Sequence, residues 1–307
     1  MTTAGNEMAP SLRAYIANCL IGGDEITQSG SSWIRDLVSF NIAGTTVRIR
    51  QKPDVINGPI SALTDRLIET SEATIDGISS EGVAEAKAII ERLCWLLSFT
   101  GTCRVIPYGY EYPADSGLKQ MQSVAGVARH FRPAFEIRDG SLVKSFVEQT
   151  YQKYCELESE RKLRAIFDYL AQAEAPGQLM EVRSILSFVA LENLKHTFAH
   201  SKNIVYAEGA FRKPSWTQGQ RGHKYSFKEL VALMLDDVGM SRQLDAAYSL
   251  RNDLIHSGLS TLPFSEQRVL YEDVHDLIRE YLLRLLGYKG RYSPYAFERR
   301  GISAEIQ

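Results

Sequence analysis

Leu250-Arg251-Asn252-Asp253-Leu254-Ile255-His256-Ser257-Gly258 sets an arginine and a histidine five positions apart. Two polar residues follow the arginine, two apolar residues precede the histidine, and Gly258 stands where a helix would stop. An ideal α-helix turns about 100° per residue, so Arg251 and His256 sit roughly 140° apart. They do not share one narrow face. Either the helix ends inside the motif, or the two side chains meet partners from another element or another chain. Arginine keeps its charge and grips phosphate bidentately. Histidine gives and takes a proton near neutral pH. The pair supplies what metal-free cleavage of RNA needs, where the 2′-OH is the nucleophile and the protein contributes proton transfer and charge stabilisation. A plain structural reading also fits: Arg251 pairs with a carboxylate and His256 sits at a helix end, where the dipole favours a cation.

Upstream, Leu179 to His200 repeats apolar residues at helical spacing, including Ile185, Leu186, Val189, Leu194 and Phe198. Glu192 sits among them and is expected to hold an arginine, with Arg251 the candidate, because a buried carboxylate needs a partner. His196 and His200 are four apart and share a face. That is the spacing of two zinc ligands, but no further His, Cys or Glu match is evident, and histidines near a helix C-terminus are the preferred reading. Ser201 to Tyr225 is a long connection that interleaves Arg212, Lys213, Arg221 and Lys224 with Phe211 and Trp216. Charge for a backbone and rings for base stacking suit single-stranded nucleic acid. An ordered flap or dimer contact is the other reading. Ser226 with Glu229 three residues on is a capping-box pattern that opens the next helix. Tyr248 lies three residues before Arg251 and is expected in the core or at a dimer contact, with a place beside the arginine as the alternative. Ser265 to Leu286 closes the helical region with a continuous apolar stripe.

Arg251-Asn252-Asp253-Leu254-Ile255-His256 resembles the R-x4–6-H signature of the HEPN superfamily, whose catalytic members carry a polar residue just after the arginine. Ala190-Leu191-Glu192-Asn193-Leu194 on an earlier helix and the apolar helix after the motif resemble Apea-like HEPN domains of bacterial defence proteins. The resemblance covers residues 141 to 287, about half the chain. It implies an all-α bundle, a homodimer with a composite site built from both motif copies, and an endoribonuclease that needs no metal or cofactor. In that reading Arg251 and His256 are catalytic. Asn252 orients His256 or the phosphate, and Asp253 is a weaker candidate for the same role. Glu192 and Tyr248 support the site, and Arg212, Lys213, Trp216, Arg221 and Lys224 bind RNA. The alternative is a non-catalytic HEPN dimerisation or nucleotide-binding module acting as an adaptor or sensor. A regulatory protein or nucleic-acid partner fits either.

At 307 residues the chain has room for two ordinary domains. A net charge of -2 excludes a globally basic nucleic-acid binder, so any RNA contact comes from a local patch. Cys19, Cys94, Cys103 and Cys155 form no C-x-x-C pair, which removes the usual zinc spacing. Cys94 and Cys155 fall in apolar helical stretches and are expected to be buried thiols. No basic-then-apolar leader and no membrane-length apolar run is present, so a cytoplasmic protein is the expectation.

The expected class is α+β overall: a mixed α/β domain at 1–140 for recognition or regulation, a helical bundle at 141–290, and a basic aromatic tail at 291–307. In the first half, Trp33 to Phe40 and Thr45 to Arg50 read as a hairpin with one wet face carrying Arg48 and Arg50. Leu12 to Leu20 fits a short strand or a helix turn, and Gly22-Gly23-Asp24 breaks it. Ile60 to Ala73 reads as a helix, and Val83 to Leu97 as a stronger, central one. Arg104 to Tyr112 reads as a strand, with Pro107 suggesting an edge. Phe135 to Ile137 reads as another short strand. Glu156 to Arg164, with charges of both signs, reads as a solvated joint.

Overall fold

The Ala43-Gly44 pair turns the first hairpin. Both residues have positive φ (50° and 71°), the backbone of a type I′ turn. This computed structural model describes residues 10–29, 32–59, 66–122, 132–218, 222–242, 245–296, 299 and 304–307. The turn joins β3 (Ser32–Ile42) to β4 (Thr45–Gln51), pairing Ile42 with Thr45. Adding β1 (Leu12–Ala17), β2 (Glu25–Ser29), β5 (Glu69–Ile75), β6 (Ile106–Glu111) and β7 (Lys119–Met121) gives a seven-stranded antiparallel sheet. Its order is β2-β3-β4-β5-β1-β6-β7.

Period-two alternation decides what each sheet face carries. Leu12, Ala14, Ile16, Val47, Ile49, Ala73 and Ile75 are fully buried. Helix α2 (Val83–Gly101) covers β1 and β6, burying Ile90, Leu93, Cys94 and Leu96. The opposite face is polar and paired. Arg13 bonds Asp115 at 2.8 Å, Arg48 pairs with Asp76, and Arg50 lies 3.7 Å from Asp36. The arginines expected on a wet face therefore have carboxylate partners.

Three expectations change here. Glu69–Ile75 is a strand at the centre of the sheet and not part of a helix, because Ser71, Ala73 and Ile75 alternate inward between β4 and β1. Residues 60–65 of that expected helix, Leu63 among them, lie outside the described residues. Phe135 and Ile137 are buried but sit in turns, and the Ile137 carbonyl accepts from Gly22 N at 2.6 Å. Gly22 is required at that approach, since a Cβ there would lie 2.1 Å from the Arg138 carbonyl oxygen. Pro107 is in a strand flanked on both sides, but it precedes the Gly109–Glu111 segment that pairs with β7. It also adjoins a register shift against β1, which is where a strand tolerates a missing donor.

The chain divides into two units, Met1–Gln152 and Lys153–Gln307. The division falls inside α3 (Gly140–Leu157) and not at residue 140. The start of α3 belongs to the first unit because Phe146 packs on Phe135 and Phe99, with centroids 4.8 and 5.6 Å apart.

The second unit is mainly helical. It holds α4 (Leu163–Ala173), α5 (Met180–Ser201), α6 (Phe227–Asp236), α7 (Asp245–Ser257) and α8 (Phe264–Leu285). Helix α5 is central, contacting α4, α6, α7 and α8. The unit is not all-α. A hairpin of β8 (Tyr206–Ala207) and β9 (Ala210–Phe211) turns on Glu208-Gly209, again with two positive φ values. A second small sheet pairs β10 (Gly290–Tyr292) with β11 (Ala304–Ile306). The C-terminal segment is therefore anchored: Tyr288, Tyr292 and Tyr295 are buried, and Arg299 pairs with Asp276. Arg300 lies outside the described residues.

The Glu156–Arg164 segment is more than a solvated joint. Arg161 is buried, bonding Tyr281 Oη at 2.7 Å, Thr197 Oγ1 at 3.2 Å and the Leu194 carbonyl at 3.3 Å. A guanidinium can be buried when its donors are used this way. Of the cysteines, Cys19, Cys94 and Cys103 are buried, while Cys155 is half-buried. Burial pushes the Cys19 thiol up to about 12. Among the described residues, no helix is long and apolar enough to cross a membrane.

Candidate functional site

Helix α7 buries Ala247, Leu250 and Leu254, spaced three and four apart, so one narrow stripe faces the core. Arg251 follows Leu250 and lies at the stripe's edge. His256 is turned roughly 140° further round and is exposed. It has no hydrogen-bond partner among the described residues. Gly258, at φ 73° and with its N–H on the Leu254 carbonyl at 2.9 Å, ends the helix just after the histidine. The motif is therefore helical through His256, and the first possibility raised by its spacing, a helix ending between the two residues, does not occur.

Arg251 is held from two sides. Its guanidinium pairs with Glu192 of α5 and donates to Asn252 Oδ1 at 3.0 Å. Glu192 also accepts from Lys195 Nζ at 2.5 Å. Both cations lie over the Phe227 ring, Arg251 at 4.6 Å and Lys195 at 5.1 Å from its centroid. Arg251 Nε is buried and has no hydrogen-bond partner among the described residues. A guanidinium has five N–H donors, so the two bonds leave three over.

Asn252 and His256 are four apart and share a helix face, which puts Asn252 between the arginine and the histidine. Asp253 lies on the other side. It borders a mostly apolar cleft of about 530 Å³ between α7 and α8, with Leu250, Leu262, Val269 and Leu270. Ile255, Leu259 and Phe264 around the motif's end are 53, 68 and 64% exposed. Tyr248 is half-buried on α7. It stacks on Phe227 at 5.7 Å, and Lys228 lies 4.9 Å over its ring. Phe227 thus links Tyr248 to Arg251.

Neither Phe227 nor Lys195 is singled out by the sequence. The one available signal for Phe227 is its place right after the capping residue. The capping box itself is complete: Ser226 Oγ accepts from Glu229 N at 3.2 Å, and Ser226 N donates to Glu229 at 2.7 Å. Lys213 bonds Glu229 at 2.5 Å, and with Ser226 it holds this carboxyl down to about 2.

The described part of the 201–225 connection is built around the β8–β9 hairpin. Arg212 is buried inside it, donating to the carbonyls of Ala207 (3.1 Å) and Gly222 (3.0 Å) and to Glu208 (2.6 Å). It forms an isolated bridge with Lys224 and lies 5.2 Å from the Trp216 ring. Its guanidinium is thus committed to the hairpin, which corrects the expectation that it faces RNA. Lys224 is exposed, while Lys213 and Trp216 are half-exposed. Arg221 lies outside the described residues.

His196 and His200 are exposed on α5, with their Nε2 atoms 3.1 Å apart. Among the described residues, no group of three or more His, Cys, Asp or Glu could hold a metal ion. No family model, no curated protein and no solved structure matches the chain.

Proposed function

We propose that the chain is a metal-independent endoribonuclease of HEPN type, acting as a homodimer with a site composed from two copies of α7. One observation carries this reading. Arg251 is anchored to Glu192 and Asn252 at the edge of the core, while His256 points to solvent from the far side of the same helix. One chain offers an arginine and a histidine that do not converge, and a second copy supplies the missing half. The exposed apolar residues after the motif and the cleft beside Asp253 support a protein-covered surface there.

In this mechanism His256 takes the 2′-OH proton or gives one to the 5′-oxygen leaving group. The two remaining terminal Nη donors of Arg251 stabilise the charge that develops on the phosphorane oxygens. Glu192 and Phe227 hold the guanidinium in place, and Asn252 orients the histidine or the phosphate. The products are a 2′,3′-cyclic phosphate and a 5′-OH. Lys213, Trp216 and Lys224 lie on the segment that would meet single-stranded RNA. The setting is bacterial defence or toxin-like cleavage in the cytoplasm, restrained by the N-terminal unit or a partner until triggered.

The second reading is a non-catalytic HEPN dimerisation or nucleotide-binding module. It is favoured by the Glu192–Arg251 pair, which a purely structural arginine would also make. Cleavage of a mixed RNA in EDTA by wild type and His256→Ala, with product ends mapped, separates the two. Cyclic-phosphate ends that vanish in a folded, dimeric variant support the enzyme. Cleavage unaffected by the substitution overturns the assignment of His256.

A further inference from the structure

The histidine pair on α5 takes no part in the site proposed above. His196 and His200 present their Nε2 atoms to each other at 3.1 Å, with ring planes 64° apart. Imidazole nitrogens bind transition ions at about 2.0–2.1 Å, so two nitrogens at this separation subtend an angle of about 100° at a shared ion. That angle lies between the octahedral and tetrahedral values. Residues four apart on a helix are neighbours, so the backbone already pays for the alignment. We infer that His196 and His200 form a two-histidine site for a divalent transition ion of the imidazole-preferring class, Zn²⁺, Ni²⁺ or Cu²⁺.

The surroundings suit such an ion. Both rings are exposed and accessible. The hairpin lies against them: the Tyr206 ring is 6.0 Å from His196 and 6.3 Å from His200, and Phe211 is 5.2 and 5.3 Å away. An ion bound here fixes the helix face on which the hairpin rests. Metal ligation also requires neutral imidazole. An ion bound here takes the place of the hydrogen bond that the two Nε2 atoms share. The nearby Lys195 charge is offset by Glu192.

With no third protein ligand among the described residues, the remaining coordination positions are open to water or an anion. Glu192 lies one turn earlier on α5, a rise of roughly 6 Å for four residues. The ion would therefore sit at the edge of the basic-aromatic segment and outside the Arg251 contacts. This inference is independent of the ribonuclease reading. EDTA strips the ion without touching the cleavage assay described above, so failure of either reading is visible separately.

The test is calorimetric titration of the full chain with NiCl₂ and with ZnCl₂, repeated on His196→Gln and His200→Gln. One ion per chain is expected in the wild type. Loss of an outer-shell partner already costs about 10–100-fold in metal affinity, so losing either histidine is expected to weaken binding by at least that much. The ion should also raise the melting temperature of the wild type and of neither variant, a readout that needs no activity. Equal binding by the wild type and both variants would place the ion on other ligands, such as the half-buried Cys155, and overturn the site. No binding by the wild type would overturn it too, whereas MgCl₂ is expected to leave all three proteins unchanged.

Discussion

Two carboxylates of the C-terminal unit look alike as ion pairs and differ in what surrounds them. Glu174 is 1% exposed. It accepts from the hydroxyls of Tyr271 and Tyr295 and from Arg183 at 3.3 Å. Glu192 has 29% of its side chain exposed and accepts from two cations, Arg251 and Lys195, that share the Phe227 ring. Around Glu174 the network is closed. Burial and the adjacent Glu174 push the Tyr271 hydroxyl well above its usual range, so it stays a neutral donor. Around Glu192 the arginine keeps spare donors, and the next side chain along the motif face opens to solvent. An arginine–carboxylate pair alone does not mark a site. In the reading proposed above, what sets Glu192 apart is the spare donors of Arg251 on the same helix as the exposed His256.

The largest effect expected on the open side is catalytic. His256→Ala should lower RNA cleavage by about 10²–10⁴-fold, the usual span for a general acid or base. Its melting temperature should stay within what a surface change of about 0.5 kcal/mol produces. A variant that unfolds instead would place His256 on the closed side of the comparison.

On the closed side, Glu174→Ala strands two tyrosine hydroxyls and Arg183. It should cost about 3 kcal/mol in urea unfolding, the lower end for breaking a buried pair. A loss below about 1 kcal/mol, the range of exposed pairs, would erase the contrast with Glu192. Glu192→Gln keeps the shape and one acceptor, and with partial exposure it should cost about 1 kcal/mol or less. Its cleavage rate should nevertheless fall by about tenfold or more, because the guanidinium loses its anchor. Equal drops in stability for the two substitutions would make both carboxylates structural.

The smallest effect is in the acid limb. Glu229 is held down to about 2 from its ordinary 4.5 by Lys213 and the Ser226 cap. A depressed carboxyl contributes stability above its unfolded value that is lost as pH falls through the folded one. The wild type should therefore lose this contribution between pH about 4.5 and about 2. Glu229→Gln should flatten that part of the stability curve and leave neutral pH little altered, as circular dichroism against pH would show.

Patterns with short reach were legible in the chain. The Ser226–Glu229 cap, the Gly258 stop, the hairpin of Trp33 to Phe40 with Thr45 to Arg50 and the central helix over Val83 to Leu97 all follow from neighbours a few residues apart. Glu69–Ile75 is a strand although the residues up to Ala73 read as a helix, because its strand character comes from β1 and β4 on either side, which no window around it contains. By composition Arg212 reads as a phosphate contact. The carbonyls that capture it, Ala207 and Gly222, become its neighbours only once the hairpin closes.

The candidate site divides the same way. The sequence by itself determined that an unbroken helix would carry Arg251 and His256 about 140° apart, since helical geometry depends on spacing alone; that α7 runs unbroken past His256 was decided by the structure. The sequence also marked Glu192 as a carboxylate in need of a partner, because burial in an apolar helix face demands one. Tertiary structure decided that the partner is Arg251, that Phe227 lies beneath both cations, that Tyr248 acts at one remove, and that His196 and His200 face each other beside the hairpin. Those facts join residues from helices that are distant in sequence, or fix a rotamer against a neighbouring element. They are set by how the faces of α5, α6 and α7 meet, which local periodicity does not encode.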